Sequence, residues 1–273
     1  MARNAAPCHA VAVPPAARGH RPPQGDPVVD RALALLAAFD DTHRSLTLSA
    51  LARRADLPLS TAKRLTDRLL TWGALERDAD GGFVVGLRLW ETASLAPRAL
   101  GLREVAMPFL DDLHDATRQH VLLVVLDGGE GLLVERRSAR DAVPVEYRVG
   151  DRLPLAMTAA GRLLLAYAPA ELQEEVLAGH GGGSSADAAP SPVVLRRLLA
   201  DVRRGGVAVI NRRRPAPVVS VAAPVRGPGG GVVAALSIVV PAGTHRPAAL
   251  VPAVRMAAAG VSRGLGARAS PPA

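Results

Sequence analysis

Apolar residues recur every three or four positions over residues 28–39 (VVDRALALLAAF). Val29, Ala32, Leu33, Leu36 and Ala37 share one stripe, and this spacing predicts a packing helix. The same period returns twice in quick succession. Leu48, Leu51, Ala52 and Ala55 define a short helix that Thr47 can cap. Asp56-Leu57-Pro58 breaks it, because proline cannot continue a helix but fits the first turn of the next. The second helix buries Ala62, Leu65, Leu69 and Leu70 and leaves Ser60, Thr61, Lys63, Arg64, Asp67 and Arg68 on its other side, until Trp72-Gly73 stops it. Two strand-like runs, 74–77 and 83–85, flank Asp78-Ala79-Asp80-Gly81-Gly82 and predict a hairpin.

Two helices at a tight turn with a hairpin behind them are the pattern of a winged helix-turn-helix. A second helix that starts with hydroxyls and cations suits the major groove. An isolated amphipathic helix with a solvated charged face would look the same; the turn and the hairpin favour DNA. On this reading Ser60, Thr61, Lys63, Arg64 and Arg68 supply base and phosphate contacts. Arg77, and Arg88 just beyond the hairpin, reach the phosphate backbone.

The pattern then changes. Residues 87–96 (LRLWETASLA) predict a linker helix, with a domain boundary near residue 98. Residues 102–117 predict a helix with Leu102, Val105, Ala106, Phe109, Leu110 and Leu113 on one face and a kink at Pro108. The unbroken apolar run at 121–126 predicts a buried strand with 132–136 as its hairpin partner after a Gly128-Gly129 turn, and strongly apolar strands are expected at 218–225 and 232–240. Helices are expected at 158–168, 169–177, 193–204 and 248–265, and a flexible loop at 179–192. The fold class is α+β: a winged helix-turn-helix domain at 27–86, a linker helix at 87–98, and an antiparallel sheet with packed helices at 99–266. Residues 1–26 and 267–273 read as disordered tails, the first Pro-rich and unlike a signal peptide.

Composition sharpens this picture in three respects. The formal net charge of +8 favours a polyanionic partner, and it is carried by arginine, Lys63 being the one lysine. Arginine also binds phosphate bidentately, so its dominance suits DNA. The single cysteine, Cys8, excludes an intrachain disulfide and, with no long apolar run, predicts a cytoplasmic protein. G-x-S-x-G, H-E-x-x-H, Walker A and G-x-G-x-x-G patterns are all missing from the sequence. His114 and His120 stand six apart, which does not suit metal binding on one helix face, and Asp111, Asp112 and Asp115 are expected to be solvated. No catalytic residue, metal or cofactor is therefore expected.

Taken together, VDRALALLAAF, LSALARRADLPLSTAKRLTDRLLTWGALERD, FVVGLRL, LREVAMPFLDDL, DRLPLAMTAAGRLLLAYAP, RRGGVAV, SVAAPV and GGGVVAALSIVVPA resemble the isocitrate lyase regulator (IclR) family over roughly residues 28–266. The resemblance implies a winged helix domain, a linker helix and a GAF/PAS-like effector domain. It implies homodimers or dimers of dimers on a palindromic operator that respond to a small organic acid. It also implies an effector pocket against the sheet, bordered by residues 153–161 and by Ser220, Ser237 and Val239.

Leu153, Met157, Ala159, Ala160, Ser220, Ser237 and Val239 are the matching positions, with the amides of Ala159 and Ala160 placed to hold a carboxylate. Ser220 replaces a frequent Cys. The chain departs from the family pattern at Ala156 (commonly His), Ile210 (often acidic), Val239 (sometimes a hydroxyl), Pro217 (often Gly) and the basic run 211–215. The expected walls are Leu153, Met157, Ile210, Val221 and Val239; the arginines at 212–214 either draw anions to the entrance or, as three adjacent arginines more often do, form a solvated loop. These departures leave a second reading open: a DNA-binding protein whose C-terminal half only oligomerises.

Overall fold

The computed structural model describes residues 27–267 apart from 41, 96, 146, 180–189 and 214–215. The chain forms two compact units that divide between residues 97 and 98. The expected tails, except Ala267, and most of the predicted loop at 179–192 lie outside the described residues.

The first unit holds α1 (Val28–Ala37), α2 (Leu48–Arg54), α3 (Leu59–Trp72), β1 (Leu75–Arg77), β2 (Phe83–Val85) and α4 (Leu87–Ala93). Local chemistry explains the boundaries. The Thr47 hydroxyl accepts the Ala50 amide and caps α2. Gly73 ends α3 with φ 87°, a left-handed conformation that glycine adopts without a Cβ penalty. Asp78 braces the β1–β2 turn by accepting from the Gly82 amide at 2.8 Å, the Asp80 amide and the Ser45 hydroxyl. The Ser45 bond holds its carboxyl below the ordinary value. Leu46 joins the hairpin through a two-way backbone bridge with Phe83, a third edge that the sequence pattern did not indicate.

Leu35, Ala38, Leu46, Leu51, Ala52, Ala62, Leu65, Leu75 and Phe83 close the core. One expectation holds only in part. Of the predicted α1 stripe, Leu36 packs against the core and Ala32 is half-buried, but Val29, Leu33 and Ala37 face outward, with Val29 66% and Leu33 55% exposed, while Leu35 is fully buried. The helix is apolar on most of its circumference, so two registers fit the period equally well, and the core takes the Leu35 side.

The second unit holds α5 (Pro97–Thr117), β3 (His120–Asp127), β4 (Glu130–Arg137), β5 (Arg152–Leu153), α6 (Ala159–Ala166), α7 (Ala170–Gly179), α8 (Pro192–Gly205), β6 (Ala208–Arg212), β7 (Val218–Arg226), β8 (Val232–Pro241) and α9 (Pro247–Gly264). Among the described residues its six strands form one antiparallel sheet in the order β5-β4-β3-β8-β7-β6. Helix α5 begins five residues before the predicted start and runs on through Gly101 and Pro108. The linker helix is correspondingly short. Strands β5 and β6 were not predicted, because one has two residues and the other, AVINR, is an edge strand with exposed positions and polar residues.

Strand alternation sends side chains to two cores. Val121, Leu123, Val221, Leu236 and Ile238 pack against α5 and α9. Leu122, Ala222, Ala235 and Val239 pack against α6 and its neighbours α7 and α8. Asp111 is not merely solvated: it pairs with Arg137, which also bonds the buried Glu135, itself held by Arg103. That chain of charges ties α5 to β4.

Candidate functional site

Burial of Ala62, Leu65 and Thr66 leaves the other side of α3 in solvent. Ser60, Lys63, Arg64 and Arg68 are exposed there, and Thr61 is half-buried at the edge. Among the described residues nothing pairs with the guanidinium of Arg64 or Arg68, so both are available to a polyanion. Lys63 instead reaches Asp67 at 2.9 Å, an exposed i,i+4 pair of little energetic weight. Arg77 stacks over Phe83 at 4.1 Å and donates to the Gly81 carbonyl, so it stiffens the wing tip as well as charging it. Arg88 stacks on Trp72 at 4.8 Å and donates to its carbonyl at 3.1 Å, across the end of α3. Arg44, exposed beside the Ser45–Asp78 brace, adds a cation that the motif did not single out.

The second site is a pocket of about 540 Å³, counting the part open to solvent, on the α6 face of the sheet. Its floor is the cross-strand row of Leu122, Ser237, Val239, Ser220 and Val218. Leu153 of β5 closes one side and Arg212 of β6 the other. Thr158, Ala159 and Ala160 bring in the start of α6. Thr158 spends its hydroxyl on the helix, accepting the Gly161 amide at 3.0 Å and donating to the Pro154 carbonyl at 3.2 Å. The amides of Ala159 and Ala160 find no acceptor among the described residues, as the first turn of a helix dictates. They present a partial positive charge to the pocket.

The serines on the floor carry the strongest signal. Ser220 is 8% exposed and Ser237 2%, yet neither hydroxyl has a hydrogen-bond partner among the described residues. Neither oxygen is among the fully enclosed unpartnered side-chain atoms, so both hydroxyls open onto the cavity. Two such hydroxyls beside two free amides are able to bond an oxygen-bearing ligand.

The upper wall is Pro144, Val145 and Tyr147, a segment lashed to the sheet by side chains. His120, buried on β3, donates from Nε2 to the Val143 carbonyl and accepts at Nδ1 from the Ser138 hydroxyl at 2.7 Å. Arg136 donates to the Tyr147 carbonyl at 2.5 Å and to Ser138 at 2.6 Å. Burial holds the His120 imidazole below its ordinary pKa, which keeps it neutral as this tautomer requires.

Of the expected pocket residues, Leu153, Ala159, Ala160, Ser220, Ser237 and Val239 come together. Met157 does not: it is half-buried in the turn before α6 and does not line the cavity. Val221 points into the opposite core, because strand alternation puts it on the other face from Ser220. Ile210 packs with the α6-side core but is not a wall. Arg212, read from sequence as part of a solvated loop, is instead the last residue of β6 and lines the pocket. Tyr147 and Val145 were not foreseen, since only the folded chain brings them, with Pro144, to the pocket.

Gly161 makes the start of α6 possible. A Cβ there would lie 2.7 Å from both the Leu155 Cα and the Pro154 oxygen and 2.6 Å from the Thr158 hydroxyl. Gly161→Ala is therefore expected to lower stability by roughly 1–3 kcal/mol and to shift the Ala159 and Ala160 amides, checked by a denaturant titration of both proteins.

Comparison with known proteins identifies the family of both units. The family model described as Bacterial transcriptional regulator IclR C-terminal matches residues 96–263, and the IclR helix-turn-helix domain matches residues 28–79. An IclR homolog from Microbacterium hydrocarbonoxydans, solved in complex with 4-hydroxybenzoate, is 37% identical with a TM-score of 0.80, covering 88% of this chain and 99% of that one. The HTH-type transcriptional regulator KipR of Bacillus subtilis (strain 168) is 30% identical over 65% of this chain and 71% of its own length. XynR of Escherichia coli (strain K12), also an HTH-type transcriptional regulator, is 29% identical over 77% of this chain and 84% of its own length. These relatives are transcriptional regulators rather than enzymes. No helix among the described residues is long and apolar enough to cross a membrane.

Proposed function

The chain belongs to the IclR family of DNA-binding transcriptional regulators, and from that premise we propose that it is a cytoplasmic, effector-responsive regulator. It binds a palindromic operator as a dimer and senses a small organic acid in the pocket under α6. The observation that carries the sensor reading is the pair of unpartnered hydroxyls, Ser220 and Ser237, that open onto the same cavity as the free amides of Ala159 and Ala160. In the DNA-binding unit, Thr61 and Arg64 on α3 read bases, and Arg68 and Arg77 anchor phosphates, with Ser60 and Lys63 beside them.

The walls decide the ligand's body. Leu122, Val145, Leu153, Val218 and Val239 are apolar, so the effector carries an aromatic or aliphatic hydrocarbon body with its carboxylate at one end. A short keto acid would leave oxygens unpaired against these walls, at a cost of roughly 1–3 kcal/mol each. The Microbacterium homolog's complex with 4-hydroxybenzoate supports an aromatic acid.

A thermal-shift screen of aromatic, aliphatic and short keto acids tests the reading. An aromatic or longer aliphatic acid is expected to raise the midpoint, by about 2.7 kcal/mol of stabilisation at a hundredfold excess over its Kd. Ser220→Ala should reduce the shift. A response confined to short keto acids would overturn the ligand class. No response to any acid would favour a C-terminal unit that only oligomerises.

A further inference from the structure

The pocket has two ends that prefer negative charge. One is the start of α6, where the unpartnered amides of Ala159 and Ala160 point their partial positive charge at the cavity. The chain enters that helix from Leu153 on β5, at one edge of the sheet. The other end is Arg212, on β6 at the opposite edge. Among the described residues that line the pocket, Arg212 is the one charged side chain. Its guanidinium is half-buried and has no hydrogen bond or ion pair among the described residues.

Leu122, Val218 and Val239 make the floor apolar, and the Ser220 and Ser237 hydroxyls open onto the same cavity. The two anion-preferring groups come from different elements, α6 and β6, and a lone carboxylate held by one leaves the other without a charged partner of its own. If it sits on the helix amides, the guanidinium is left to water; if it sits on Arg212, the amides stay unpaired. An acid with ionised groups at both ends of a hydrocarbon body satisfies both.

Resting on the reading of this cavity as the effector site, we infer that it selects dicarboxylates, one carboxylate on the α6 amides and the other clasped by Arg212. Arg212 is thus the residue that sets specificity among acids of similar body. A planar guanidinium fork suits a carboxylate bidentately, and a charge-assisted pair of this kind is worth more than a neutral bond. Because Arg212 stands on an edge strand and is half-exposed, its replacement leaves the core intact.

The test is calorimetric titration of the full-length protein with benzoate, 4-hydroxybenzoate and benzene-1,4-dicarboxylate. The first two carry one charge near neutral pH, since a phenol ionises only at about 10. The dicarboxylate is expected to bind roughly 10- to 100-fold more tightly than benzoate. Arg212→Gln should abolish that preference, and Arg212→Lys, which keeps the charge but loses the fork, should retain part of it. Benzoate or 4-hydroxybenzoate binding as tightly as the diacid would overturn the inference while leaving the effector site standing. So would a preference that survives in Arg212→Gln. Failure of all three acids to bind would overturn this inference, while the effector reading falls only if the aliphatic and keto acids of the thermal-shift screen also give no response.

Discussion

Arg64→Ala is expected to weaken binding to the specific operator by roughly 5- to 150-fold, the equivalent of about 1–3 kcal/mol for one bidentate base contact, and to relax discrimination at one base position. The side chain is exposed and unpaired on the outer side of α3, so its loss should leave folding within about 0.5 kcal/mol of the parent. Arg68→Ala should act differently. A phosphate contact weakens all sequences alike and lowers the salt dependence by about one counterion. Gel-shift titrations on the upstream region of its own gene and on scrambled DNA, each at two salt concentrations, separate the two behaviours. Unchanged affinity and site preference for Arg64→Ala would remove α3 as the reading helix.

Leu33→Glu combined with Trp90→Glu is expected to give a monomer near 28.3 kDa by light scattering and to reduce operator affinity by about a thousandfold, towards non-specific binding. The argument starts from a misfit between pattern and structure. Val29, Leu33 and Ala37 recur at helical spacing on α1, the signature of a buried face, yet they lie in solvent. On α4, Leu87 and Trp90 are exposed in the same way, Trp90 by 63%. Both helices belong to the DNA-binding unit. Two copies that bury these stripes also place two α3 helices for two half-sites, which one copy cannot supply. A double variant that stays dimeric, or a monomer with full operator affinity, would defeat the proposal.

The two sites were legible in the sequence to different depths, for a physical reason. The exposed face of α3 is made by contiguous residues. Thr47, Pro58 and Gly73 set the ends of α2 and α3 through bonds to their own neighbours, and the 3.6 period then dictates which side of α3 is buried. Ser60, Lys63, Arg64 and Arg68 follow from that alone. The pocket draws its lining from β3, β5, α6, β6, β7, β8 and the 144–147 segment, far apart along the chain. Family motifs placed Ser220, Ser237, Ala159 and Ala160. Met157, named with them, does not line this cavity, and period-2 alternation applied from Ser220 puts Val221 on the opposite face.

The sequence by itself determined every element whose cause is local: the capped helix pair, the wing turn, the apolar runs of the sheet, and the hydroxyls and cations that α3 presents. Tertiary structure alone decided which of two apolar stripes of α1 met the core, since both satisfy the same period. It alone made an edge strand of AVINR, because pairing with β7 supplied the hydrogen bonds that local propensity did not. That pairing moved Arg212 from a presumed solvated loop to the wall of a cavity, where a low-dielectric floor and two unpaired serines give its charge something to do.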